Sequence, residues 1–101
     1  MPIYHMVLFK LKPDVSQIQI DEMRAAGEAM VGVVPGLTSF ALGPPLASTA
    51  HRARGFDMAL MTVLDTEEQV LAYAGHPAHQ KLHVLREAVC TETLAYDLAA
   101  P

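Results

Sequence analysis

The chain has 101 residues, 51% of them apolar and 18% charged, and carries a net charge of −4. That length suits a single domain, residues 1–101, built around one modest core. The hydrophobicity excludes intrinsic disorder, and the negative balance argues against a nucleic-acid partner.

Ile3 to Leu11 is rich in β-branched, aromatic and aliphatic residues and runs into Lys12-Pro13-Asp14, so it predicts a strand ended by a turn. Ser16 and Gln19 have capping-box spacing, which starts a helix there. Ile20, Met23, Ala26 or Gly27, Met30 and Val34 recur at steps of three and four and extend that helix to Val33-Val34-Pro35-Gly36. Leu37 to Leu42 predicts a second strand, Gly43 to Gly55 a long loop, and Phe56 to Leu64 a third strand. Thr66 with Gln69 is another capping box, opening a helix that runs to about Ala74. Gly75-His76-Pro77 breaks it, and Pro77 opens a further helix from Ala78 to about Ala88. Thr91 to Leu98 alternates in the manner of a last strand. The order β-α-β-β-α-β, with the second helix split, predicts a ferredoxin-like α+β fold. Its antiparallel four-stranded sheet carries the helices on one face.

The strands are apolar on both faces. Ile3, His5, Val7, Phe9 and Leu11 point one way, and Tyr4, Met6 and Leu8 point the other. Phe56, Met58, Leu60 and Leu64 oppose Ala59, Met61 and Val63. Helices on one face cover one of these sets, and a solvated second face should carry polar residues. A symmetric homodimer, sheet packed on sheet, is therefore expected; the alternative is a monomer with an unusually apolar face. No run approaches the roughly 20 apolar residues of a membrane helix, so no membrane partner is expected. The start Met1-Pro2-Ile3-Tyr4-His5 lacks signal-peptide order. The single cysteine, Cys90, excludes an internal disulfide and suits the cytoplasm.

Five histidines are many for this length, and His76, His79 and His83 fall on one side of a helix. The segment Tyr73-Ala74-Gly75-His76-Pro77-Ala78-His79, with His5-Met6-Val7-Leu8-Phe9-Lys10 at the start and Val34-Pro35-Gly36 after the first helix, resembles the stress-responsive A/B barrel (Dabb) family over residues 3 to 98. The resemblance implies a dimeric α/β barrel. It also implies either a stress-associated protein of unassigned chemistry or a relative of a plant polyketide cyclase, which closes a linear tetraketide by aldol condensation without metal or organic cofactor. His79 matches the family's catalytic histidine, Tyr73 its tyrosine and His5 a pocket histidine in the first strand. Met58 stands where the family has a second pocket histidine and Gly27 where it has a pocket tyrosine, which leaves a pocket in place, or enlarged at Gly27.

On their own chemistry, His79 can switch between base and acid near neutral pH, and Tyr73 can hold an oxyanion by a hydrogen bond. The alternatives are that His76 caps a helix, Pro77 starts it and His79 bonds a backbone carbonyl, or that the site binds without turnover. His5, Met58 and His76 are candidate ligand-binding residues, with packing as a half-buried strand histidine the favoured role for His5. A zinc site on His79 and His83 has the right helical spacing but lacks the glutamate of His-Glu-x-x-His, since position 80 is Gln. With the cofactor-free chemistry that the resemblance implies, no cofactor is expected. His51, Arg52 and Arg54 form a basic loop cluster, and Cys90 reads as a buried, inert thiol. Two functions stay open: a dimer holding a small apolar or polyketide-like molecule with turnover unassigned, or a cyclase or isomerase with His79 as general acid/base and Tyr73 beside it.

Overall fold

A computed structural model describes all residues, 1–101. Its elements are β1 (Ile3–Leu11), α1 (Gln17–Glu28), β2 (Leu37–Gly43), a 3-10 segment (Ala47–Arg52), β3 (Met58–Leu64), α2 (Glu67–Tyr73), α3 (Pro77–Val89) and β4 (Cys90–Ala99). The four strands form one antiparallel sheet in the order β2-β3-β1-β4, the ferredoxin-like arrangement the sequence predicts.

Both capping boxes are formed. Ser16 Oγ accepts from the Gln19 backbone while Gln19 returns a bond to the Ser16 N–H, and Thr66 and Gln69 repeat the exchange at α2. The first helix is shorter than its periodicity predicts: it stops at Glu28, with Ala29 as C-cap. Gly32 has a φ of +80°, which a right-handed helix cannot continue through. Met30 and Val34 stay buried because consecutive turns, Met30 N–H to Gly27 C=O and Val34 N–H to Met30 C=O, carry them back to the core. The third strand begins at Met58 and not at Phe56. Arg54 and Gly55 both have positive φ and turn the chain, and Phe56 N–H closes that turn on Ala53 C=O. The Gly43–Gly55 loop contains the 3-10 segment, which no periodic signal announced.

Val7, Phe9, Met58, Leu60, Thr62 and Leu64 form the buried face of the sheet. Against it pack Ile20, Met23 and Ala26 of α1, Tyr73 of α2, and Leu82 and Val89 of α3. On the other face Met6 pairs across with Met61 and Tyr96, Leu8 with Ala59 and Leu94, and Tyr4 with Val63 and Leu98. No helix covers this face, and Met61, Leu94, Tyr96 and Leu98 are exposed on it.

Candidate functional site

The pairing register puts Phe40, Thr62, His5 and Asp97 in one row across all four strands, on the helix-covered face. His5 lies between Thr62 and Asp97, and its Nδ1–H donates to Asp97 Oδ1 at 2.5 Å. α2 ends above this row and presents Tyr73, whose ring meets the His5 ring edge-on at 5.5 Å between centroids. The break at Gly75-His76-Pro77 lets α3 start beside Tyr73, so the His79 ring also meets the phenol ring, at 4.3 Å between centroids. His83, one turn on, lies 6.0 Å beyond. Asp97, His5, Tyr73, His79 and His83 thus form one continuous line of side chains.

Hydrogen bonds fix the tautomers. His79 Nδ1 bonds the Ala74 carbonyl at 3.1 Å, so Nδ1 carries the proton and Nε2 holds a free lone pair. His83 Nδ1 accepts from Arg86 at 2.9 Å, which leaves its proton on Nε2. Burial lowers the His79 pKa from its ordinary 6.5; the Ala74 bond opposes this, while His83, His5 and Arg86 add to it. Burial pushes the Tyr73 phenol up to about 12, although Thr62 and Arg86 pull it down. At neutral pH the pair is therefore a neutral imidazole base beside a protonated phenol. Opposed shifts of this kind separate acid and base roles.

Of the candidate residues, His5, Tyr73 and His79 come together. Met58 lies in the core, paired across with Phe9. His76 caps α3, its Nδ1 accepting from Ala78 N–H at 3.0 Å, and it lines a groove of about 290 Å³ with Val34, Pro35 and Gln69. The enlarged pocket expected at Gly27 is absent. The Phe40 ring fills that space so closely that a Cβ on Gly27 would lie 2.0–2.4 Å from it. No cavity is lined by His5, Tyr73, His79 or Met58. The line opens to the surface at His79 and at Asp97, and Asp97 borders a cavity of about 210 Å³ with Ile3, Val70 and Ala99. No three His, Cys, Asp or Glu side chains are grouped to hold a metal ion.

Asp97 and Thr62 belong to the site and carry no motif. Their signal is positional. Asp97 is a charged residue on the helix-facing set Thr93, Ala95, Asp97 of β4, and Thr62 is the one polar residue of the apolar strand Met58-Ala59-Leu60-Met61-Thr62-Val63-Leu64. His51 and Arg52 lie in the 3-10 segment and Arg54 in the turn after it, and none of them is hydrogen-bonded or ion-paired to these groups.

Several solved structures share this architecture. A protein from Thermobifida fusca YX, described as dimeric, ferredoxin-like and of unknown function, is 26% identical with a TM-score of 0.82, covering 99% of this chain and 92% of that one. A protein of the same description from Jannaschia sp. CCS1 is 24% identical, TM-score 0.86, covering 99% and 100%. The hydroxynitrile lyase of Passiflora edulis is 20% identical, TM-score 0.82, covering 96% and 91%. No curated protein sequence matches the chain. The family model of the Stress responsive A/B Barrel Domain matches residues 3–100, and the chain belongs to that family, Dabb.

Proposed function

We propose that the protein is a homodimeric A/B-barrel protein whose line of polar side chains is a cofactor-free acid–base site for a small enolisable carbonyl compound, polyketide-like in class. The observation that carries this reading is the opposed tuning of neighbours: a neutral His79 with a free Nε2 beside a Tyr73 phenol held protonated. His79 Nε2 takes a proton from the carbon between two carbonyls, and the C–H electron pair moves into an enolate. The Tyr73 O–H hydrogen-bonds the enolate oxygen. The enolate carbon attacks a second carbonyl of the same molecule, a C–C bond forms, and imidazolium returns the proton to the new alkoxide. Loss of water then gives the ring. His5, oriented by Asp97, faces the ligand from the sheet.

Ethyl 3,5,7-trioxooctanoate, whose C2 lies between two carbonyls and closes on the C7 ketone to give ethyl 2,4-dihydroxy-6-methylbenzoate and water by these steps, tests the reading. Turnover should fall on the acid side as His79 takes up a proton. It should drop about 10²-fold or more in His79→Ala, in line with the usual worth of a placed general base. An equal rate in His79→Ala defeats the enzymatic reading. Binding without turnover is the second reading, favoured by the lack of a cavity around His5, Tyr73 and His79. On that reading the ligand occupies the groove of about 290 Å³ that His76 lines with Val34, Pro35 and Gln69, away from the sheet-on-sheet contact.

A further inference from the structure

Thr62 has the least ordinary side chain of the core. It is fully buried, and its Oγ1 makes no hydrogen bond. Buried hydroxyls are almost always paired, so an orphan needs a reason. Its backbone is locked by pairing to His5 on one side and Phe40 on the other, which holds the hydroxyl in the row that runs beneath Tyr73. The polar groups around the phenol are His5 of β1, Thr62 of β3, and His79 and Arg86 of α3. In the resting site the phenol holds its own proton, and Thr62 is left without a partner of normal geometry.

We propose that Thr62 is a positioning residue for Tyr73: its O–H donates to the phenol oxygen as that oxygen gains negative charge. The inference rests on the acid–base reading, because only a Tyr73 that shares its proton with a ligand develops such charge. A hydrogen bond absent from the resting site and made when charge develops favours the charged state selectively. The same side chain pulls the phenol pKa down against the larger effect of burial, as a latent donor to phenolate must.

The test needs no substrate, so its failure is distinct from failure of the acid–base reading. The three tyrosines are replaced biosynthetically by 3-fluorotyrosine, whose more acidic phenol titrates where the protein stays folded. The ¹⁹F resonance of position 73 is assigned by its loss in Tyr73→Phe. Thr62→Val, which keeps shape and removes the hydroxyl, should move the position-73 midpoint up by about half a pKa unit or more, the worth of one modest hydrogen bond. Thr62→Ser should return it to the wild-type midpoint, and Thr62→Ala carries the same arm if Thr62→Val does not fold. An unchanged midpoint without the hydroxyl, or a Thr62→Ser midpoint as displaced as that of Thr62→Val, overturns the proposal.

Discussion

Burial acts on His79 and Tyr73 alike, by disfavouring the charged form, and because one is a base and the other an acid it drives them apart. The consequence for stability has a definite sign. Unfolded His79 takes up its proton near 6.5, whereas the folded side chain resists doing so until lower pH. Between those values the unfolded state binds more protons, so stability falls as pH drops below about 6.5. Denaturant midpoints at pH 7.5 and 5.5 should show this fall, and His79→Ala should show less of it; an equal fall in both removes His79 as the cause. Thr62→Val gives a second outcome. Removing an unpartnered buried hydroxyl while keeping its shape should leave stability unchanged or raise it by about 1 kcal/mol, even as it weakens the site, and a loss of several kcal/mol would show that Oγ1 has a structural partner. The two ends of legibility meet here. Tyr73 and His79 lie six residues apart on a recognisable motif, so the sequence displays them. Asp97 and Thr62 lie far from that motif in the chain and reach it only through strand register, which spacing does not reveal.

Helix starts were legible because the signal is local: Ser16 and Thr66, each three residues before a glutamine, complete their bonds inside one turn. Ser16→Ala should cost about 1 kcal/mol, read as a lower denaturant midpoint. The end of α1 was not legible, since turns keep Met30 and Val34 at helix-like spacing after the helix has stopped at Glu28. Gly27 makes the same point in reverse. On propensity alone, Gly27→Ala inside α1 should stabilise by about 1 kcal/mol. The Phe40 ring, 2.0–2.4 Å from the new Cβ, reverses the sign. Overpacking of this kind costs about 1–3 kcal/mol, so Gly27→Ala should lower the midpoint, and Gly27→Ala with Phe40→Leu should recover it. A stabilised single variant would mean that the ring moves aside freely.

For the whole molecule, counting faces was enough to predict an uncovered sheet, because strand alternation survives folding and the helices number too few for two layers. The uncovered face is a continuous apolar surface. Met6 lies at its centre between Met61 and Tyr96, with Leu8, Leu94, Tyr4 and Leu98 in the adjoining rows. Left in water, such a surface invites aggregation. Covered by its own twin it makes an isologous contact, in which every residue near the axis meets its own copy. His5, Thr62 and Asp97 alternate along the same strands with Met6, Met61 and Tyr96, so whatever steadies this face also steadies the polar row on its reverse. Met6→Asp puts two carboxylates against each other near that axis, and burying like charges costs several kcal/mol. Sedimentation at micromolar protein should therefore give twice the chain mass of 10.9 kDa for the wild type and the single chain for Met6→Asp. A wild type that sediments at the chain mass leaves the sheet with one layer, and the sheet-on-sheet contact is then not how this face is covered.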